Sequence, residues 1–355
     1  MPSRSPSRLV LTALAALLWC APSPASAAQP SPQDEYLALV DAYAAGDTRD
    51  AVQALAERDD RWVQTAVSGL DRLVPSWPMS RLRAAALLHT EAVAGGWVLP
   101  SHGAMHLAAA RRYVDNKRGQ ALPAEFQRGW LLAVSWHFQS ELELGAVVPW
   151  LDELRDRFPE WGETALATGV FYEVLGWTDT LPTDLAWTSR SRLLGAVPHH
   201  TRKEALEQAV VAYRRALGDP DTSAQATVRL GRVLAELGRA DEARTLLAPL
   251  TATPERRWRY LAALFTALAE ARAGHAAAEL AAYDAAARIM PGCQTPLVGI
   301  TAMQRRLGQN ALALEAAEAL TVDTRACDDP WWSYRFGQPP DRLPALLAAL
   351  REMQP

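Results

Sequence analysis

Apolar residues recur along most of this chain every three or four positions, a spacing that predicts amphipathic helices. Alanine and leucine dominate these stretches, and both residues favour helix formation. The sequence lacks runs that alternate strictly between apolar and polar residues and end in turns, the pattern of half-buried strands. The pattern therefore predicts an all-α fold.

Glycines interrupt the helical pattern of the C-terminal half at a regular interval. Gly238, Gly274 and Gly308 follow one another at 36 and 34 residues. Glycine tolerates the left-handed backbone that lets one helix end and the next begin within a few residues. Ala243 and Ala313 each stand five residues after such a glycine, where a small side chain lets two helices approach closely. We expect helix pairs that repeat at this interval.

Other positions of the repeating unit are a small residue, a large residue four later and a proline that ends the second helix. They recur at Ala209, Tyr213 and Pro220, and again at Glu279, Tyr283 and Pro291, where Glu279 replaces the small residue. Together with Leu230-Gly231, these positions resemble the tetratricopeptide repeat (TPR) family, most clearly from Lys203 to Val322. The aromatic residue usual near the start of the first helix is missing in most units. The resemblance implies an α-solenoid of antiparallel helix pairs, with the first helix of each pair lining a concave groove.

The repeat pattern divides the chain into five segments. They are a signal peptide at 1–27, degenerate TPR-like pairs at 28–176, an insertion at 177–201, TPR-like repeats at 202–327, and an aromatic tail with a capping helix at 328–355. The insertion falls inside one helix pair. We expect the final helix, from about Asp341 to Met353, to cap the last repeat, which has no neighbour to cover its apolar side.

The N-terminus has the features of a secretory signal peptide. Arg4 and Arg8 precede an apolar run from Leu9 to Cys20, and Ala25-Ser26-Ala27 supplies small residues before a cleavage site. This run is shorter than the roughly 20 residues that a membrane-spanning helix needs, and no later stretch is long and apolar enough. We therefore expect a periplasmic or secreted protein without a transmembrane segment after cleavage.

The charge of the chain narrows the choice of partner. Removal of the signal peptide, which carries two arginines and no acidic residue, changes the formal net charge from −4 to −6. Lysine is restricted to Lys117 and Lys203, and the sequence contains no basic block. This balance argues against nucleic acid or an anionic membrane as the partner.

The histidines are the first candidates for metal binding and catalysis. His102 and His106 share a helix face, with His89 upstream, but the intervening residues are Gly-Ala-Met, without the acid of a metalloprotease motif. We expect a satisfied or exposed pair, no metal, no cofactor and no catalytic residues. A metal-dependent hydrolase is the weakest alternative.

Cys293 and Cys327 stand 34 residues apart, at equivalent points of consecutive units. An exported protein favours a disulfide between them. Equivalent points of stacked helices usually lie about 10 Å apart, whereas a disulfide needs α-carbons within about 7 Å. Junction loops can lean together, so we predict a disulfide between Cys293 and Cys327, with two unpaired thiols as the alternative.

The resemblance also places a binding surface on the groove. Matched by position, the groove residues are Gln225, Arg232, Leu261, Leu264, Leu268, Val298 and Arg305. Such a wall suits a protein or peptide partner, although its leucines could instead pack on the next repeat. Trp177 and Trp187 of the insertion are further contact candidates, and they raise the alternative of a small-molecule or glycan binder. We expect a non-catalytic scaffold of the cell envelope.

Overall fold

A computed structural model of the chain describes residues 30–98, 100–115, 121–140, 143–177, 201–320, 327–335 and 342–353. Across these ranges the regular secondary structure is helical and includes no strand, so the predicted all-α fold is confirmed for them. The predicted signal peptide and Trp187 lie outside the described residues.

The first helix of the described chain begins at a recognisable start signal. Ser31 accepts a bond from the backbone N–H of Asp34, whose side chain bonds back to Ser31, and Pro32 occupies the first turn. The helices before the insertion are α1 (Pro32–Ala45), α2 (Thr48–Ala56), α3 (Asp60–Gly69), α4 (Met79–Ala94), α5 (Pro100–Asp115), α6 (Ala124–Ser140), α7 (Leu144–Arg157) and α8 (Gly162–Trp177). A 3₁₀ turn at Val74–Ser76 precedes α4.

The helices after the insertion begin with a second capping box, formed by Thr201 and Glu204. They are α9 (Arg202–Ala216), α10 (Pro220–Glu236), α11 (Ala240–Leu247), α12 (Arg256–Ala273), α13 (Ala276–Ile289), α14 (Gln294–Arg306), α15 (Asn310–Ala319), α16 (Pro330–Arg335) and α17 (Arg342–Glu352). A 3₁₀ segment, Ala248–Ala252, continues α11.

Neighbouring helices pack in pairs along the chain. α4 packs on α5, α6 on α7, α8 on α9, α12 on α13 and α14 on α15. Contacts also join alternate helices, from α6 to α8, from α8 to α10 and from α10 to α12. The resulting core is continuous from Tyr36 in α1 to Ala269 in α12, and a smaller apolar cluster surrounds α12.

The glycine joints have the predicted backbone. Gly238, Gly274 and Gly308 take φ angles of 77°, 78° and 73°. At Gly274 the left-handed residue directs its own N–H back to the carbonyl oxygens of Ala271 and Glu270, which closes α12 before α13 begins. The small residues expected beside these joints, Ala243 and Ala313, are buried.

The final helix does not cap the last repeat, and that prediction is wrong. α17 packs on α6 and α4 instead. Leu350 is fully buried against Gly129 of α6, where an added β-carbon would lie 2.8 Å from a Leu350 methyl carbon. Arg351 donates to Glu91 of α4 at 2.6 Å. The apolar side of α17 thus packs into the space that Gly129 leaves on α6 because it has no side chain. This surface of α6 lies far from α15 in the sequence.

Crossing a bilayer requires a helix that is both long and apolar. Among the described helices, none combines sufficient length with sufficient apolar character.

Candidate functional site

A short C-terminal segment lies across helices of the second half. This tail segment, residues 327–335, starts at Cys327, which is at disulfide-bonding distance from Cys293, with α-carbons 5.1 Å apart. Asp329 then accepts hydrogen bonds from the Tyr260 hydroxyl at 2.9 Å, and from the Thr295 N–H at 3.0 Å and hydroxyl at 2.7 Å. The segment is therefore fixed to α12 and α14 at its first residues.

Asp329 also starts the short helix α16. Its carboxylate accepts the Trp331 N–H at 3.0 Å, and Pro330 takes the first helical position. Trp331 and Tyr334, three residues apart, share one face of this helix and stack with ring centroids 5.8 Å apart. Trp332 is 46% exposed. Two aromatic side chains of α16 thus turn inward while the one between them faces outward.

Tyr334 is the innermost residue of the tail segment. It is buried, and its hydroxyl donates a short hydrogen bond to Glu173 of α8. The Arg229 guanidinium lies 4.3 Å from the centroid of its ring and donates to its carbonyl oxygen at 3.4 Å. Tyr334 also packs on Phe265 of α12, with ring centroids 4.8 Å apart. This one side chain therefore joins α8, α10 and α12.

Glu173 is fully buried and organises the polar centre of the site. Besides Tyr334, it accepts bonds from Arg229 at 2.9 Å, from Arg232 at 3.0 Å and from the Tyr213 hydroxyl at 2.5 Å. Gly169, one turn earlier on α8, makes room for the Tyr213 ring, since an added β-carbon would lie 2.3 Å from a ring carbon. The sequence of α8 thus brings an acid and its phenol partner together.

The protonation states of this centre follow from burial and charge. Burial raises the pKa of Tyr334 well above its usual value, and the Glu173 charge raises it further, so the phenol remains a hydrogen-bond donor. The same two causes raise the pKa of Tyr213. Burial opposes the charge on Arg229, but Tyr213 and Glu173 more than offset this and raise its pKa above the ordinary value. The centre therefore combines charged arginines with neutral phenols.

Arg232 forms an ion pair with a second acid and contacts several aromatic rings. Its guanidinium lies 3.6 Å from Glu236, one turn along α10. Burial tends to raise the pKa of Glu236, yet Arg232 and the neighbouring Arg202 and Arg272 hold it below its usual value. The same guanidinium lies 4.0 Å from the ring centroid of Trp177 and 5.3 Å from that of Trp331.

These contacts define one surface, which we call the tail-contact face. Its members all touch the tail segment or the arginine that supports it: Glu173, Trp177, Arg229, Arg232, Tyr260 and Phe265. Chemically, this face offers a hydroxyl for a carboxylate, an apolar and cationic surface for an indole, and a buried carboxylate for a phenol. It is suited to binding side chains of a peptide.

The residues predicted for the groove divide into two groups. Arg232 and Trp177 meet at the tail-contact face, and Gln225, Leu261 and Leu264 are buried beside it on α10 and α12. Leu268 is half-buried in the same helix. Val298 is 53% exposed, and Arg305 is also exposed, both on α14. Trp177 is the last residue of α8 and not part of the insertion, and one face of its ring lies against Arg232.

Sequence reasoning missed Glu173 and Arg229, the charged residues at the centre. Each stands among apolar residues of a helix, Glu173 in Val-Phe-Tyr-Glu-Val-Leu and Arg229 in Thr-Val-Arg-Leu. A lone charge in such a run is seldom buried without a partner of opposite sign. This signal could have identified both residues as buried charges with partners, although it could not have shown that they bind each other.

The two histidines of the predicted pair, His102 and His106, bond to different partners. His106 bonds to His89, with their Nδ1 atoms 3.0 Å apart, and His89 contacts the Tyr36 hydroxyl at 3.0 Å. Burial lowers the pKa of His106 to about 4 and that of His89 well below its usual value, so both imidazoles are neutral at pH 7. His102 instead lies 3.2 Å from Asp60. In the described ranges, no group of three or more His, Cys, Asp or Glu side chains is arranged to hold a metal ion.

Comparison with protein families and with curated proteins identifies no relative of this chain. No protein-family model matches the chain, and a search of curated proteins finds no match. The function is therefore inferred from the geometry of the tail-contact face and its surroundings.

Proposed function

We propose that this protein is a non-catalytic scaffold of the cell envelope that binds a protein or peptide segment in the groove of a TPR-like solenoid. One observation carries the proposal: side chains from α8, α10, α12 and α14 together hold a segment of polypeptide, the protein's own tail segment. A surface that binds one peptide segment through side chains has the chemistry to bind another.

The packing of the helices supports the solenoid part of the proposal. In a TPR-like stack, the first helix of each pair contacts the first helix of the next. Contacts from α6 to α8, from α8 to α10 and from α10 to α12 follow this rule. The tail segment contacts α8, α10, α12 and α14, the helices that the rule would place on one side. The envelope setting rests on the predicted signal peptide.

The groove continues beyond the tail segment along α14. Thr295, which holds Asp329, is followed on the same helical face by Val298 and Arg305. Val298 is 53% exposed, and Arg305 is exposed too. An exposed valine with an arginine two turns away suits a partner segment that carries apolar and acidic side chains. We assign the partner's first contact to these two residues.

Site-specific photo-crosslinking in intact cells tests this assignment. A photoreactive amino acid at Val298 should give a discrete cross-linked protein band. The matched control is Val211 on α9, which is 50% exposed and therefore equally accessible but lies on a second helix of a pair. Arg305→Glu should reduce the yield from position 298, because it reverses the charge next to the contact.

Two outcomes contradict the proposal. Equal cross-linking at positions 298 and 211 means that contact is unspecific, and no cross-linking at either position means that α14 binds no partner. Turnover of a substrate by the purified protein alone would contradict the non-catalytic part.

A further inference from the structure

The tail segment occupies part of the surface that the proposed function assigns to a partner, and its role there depends on that function. We propose that the tail segment is an internal ligand, displaced by a partner peptide with the pattern Asp-x-Trp-x-x-Tyr. The pattern is that of Asp329, Trp331 and Tyr334, the tail residues that contact buried side chains of α8 and α12.

The helix α16 depends on the surface beneath it. It has six residues. A helix this short does not persist in water by itself, because nucleation costs more than one or two turns return. Trp331 against Phe265 and Tyr334 against Glu173 therefore provide its order. A segment held mainly by a few side chains can leave without unfolding the helices that hold it.

The tail-contact face keeps its charges paired when the tail segment leaves. Glu173 retains Arg229 at 2.9 Å, Arg232 at 3.0 Å and the Tyr213 hydroxyl at 2.5 Å, none of which belongs to the tail. Arg232 retains Glu236 and the ring of Trp177. Departure of the tail therefore strands no unpaired buried charge, the event that makes opening a buried ion cluster costly.

Three positions of the tail segment are recognised by buried side chains of the helices, and Ser333 accepts a further hydrogen bond from the half-buried Arg257 at 3.1 Å. Asp329 is bound by the Tyr260 hydroxyl and by the N–H and hydroxyl of Thr295. Trp331 packs edge-on against Phe265, with centroids 6.0 Å apart, and Tyr334 reaches Glu173. The side chain at position 332 takes no part in this inner contact and is 46% exposed. The three recognised positions fix both the residue types and their spacing, since positions 331 and 334 share one helix face.

The tether of the tail segment determines how strongly the tail segment competes with a partner peptide for the tail-contact face. Cys327 joins the tail segment to Cys293 two residues before Asp329. A short tether gives a segment an effective concentration of about a millimolar or more at its own site. A free peptide of the same sequence must compete with that concentration, so its binding to the intact protein is weak until the internal copy is disabled.

A fluorescently labelled peptide of residues 328–334 tests the inference by anisotropy, with the full-length, non-reduced protein. The double variant Trp331→Ala/Tyr334→Ala should bind the peptide at least about tenfold more tightly than the wild type, because the tail no longer competes. Trp332→Ala is the matched control and should behave as the wild type does. A peptide with alanine in place of both Trp331 and Tyr334 should not bind.

Hydrogen exchange of the wild type supplies a second measurement that does not depend on the folding of the double variant. A saturating excess of the peptide should speed exchange in residues 331–334 and leave α4 and α6 unchanged. Equal peptide affinity for the wild type and a folded double variant, or unchanged exchange in the tail, overturns the inference. Cross-linking through position 298 would then still support the scaffold, whereas tail exchange without that cross-linking would support the internal ligand alone.

Discussion

At the scale of single residues, the buried acids are the most consequential side chains. Glu173 is fully buried among two arginines and two tyrosines. Glu279, which stands where the sequence pattern predicted a small residue, is buried as well and pairs with Arg306 of the next helix. A buried charge is tolerated when it is paired and hydrogen-bonded, and removing its partner is costly. These acids form ion pairs between different helices, which the local sequence of each helix does not predict.

Glu173→Gln should destabilise the protein by about 3–5 kcal/mol, since it leaves Arg229 and Arg232 buried with their shared counter-charge gone. Urea unfolding followed by circular dichroism measures this loss. The control is Glu242→Gln, which removes an exposed carboxylate paired with Arg239 and should leave the unfolding midpoint unchanged. A similar midpoint for both variants would mean that Glu173 does not hold the two arginines in place.

At the scale of helices, α17 joins the C-terminal part of the described chain to helices of its N-terminal half. Its buried leucines cover the sides of α6 and α4, and Arg351 contacts Glu91, which also accepts the Tyr43 hydroxyl at 2.6 Å. The helix therefore completes the N-terminal half of the molecule. α14 and α15, by contrast, display Val298 and Leu314 to solvent.

Leu350→Ala should cost about 2–5 kcal/mol of unfolding free energy, because it opens a cavity against Gly129 that a glycine cannot fill. Leu314→Ala makes the same chemical change at a side chain that is 61% exposed, and it should alter stability by no more than about 0.5 kcal/mol. Thermal and urea unfolding compare the two. If Leu350→Ala were as mild as its control, α17 would not be packed on α6.

These elements also mark what the sequence could and could not predict. The helix pattern and the joints at Gly238 and Gly274 depend on residues within one or two helical turns of each other, and they were predicted correctly. The position of α17 was not predicted, because an amphipathic pattern indicates that a helix has an apolar side but does not indicate which surface covers that side. The same holds for Glu173 and Arg229, whose 56-residue separation leaves no local trace of their pairing.

At the scale of the whole molecule, the Cys293–Cys327 link and the tail give the chain its long-range closure. The link joins α14 to the tail segment, the tail segment crosses to α8, and α17 reaches α4. A stack of repeats has contacts mainly between neighbours. This chain also has contacts between helices that lie far apart in its sequence.

Cys293→Ser/Cys327→Ser should lower the unfolding free energy by about 3–4 kcal/mol, the value for closing a loop of 34 residues in the unfolded chain. A reducing agent should shift the urea midpoint of the wild type by a similar amount and leave that of the double variant unchanged. A reductant effect of equal size on both proteins would show that another process, not this link, responds.

The contacts of α17 have a consequence for how the molecule is made. Arg351 bonds to Glu91 across 260 residues of sequence, and the Met353 carbonyl accepts from Arg83 across 270. During synthesis, α4 and α6 emerge long before α17, so the apolar sides that α17 covers stay open until that helix has been made. Final packing of these early helices therefore waits for α17, and a truncation that removes Arg342–Glu352 would destabilise helices that lie far before it in the sequence.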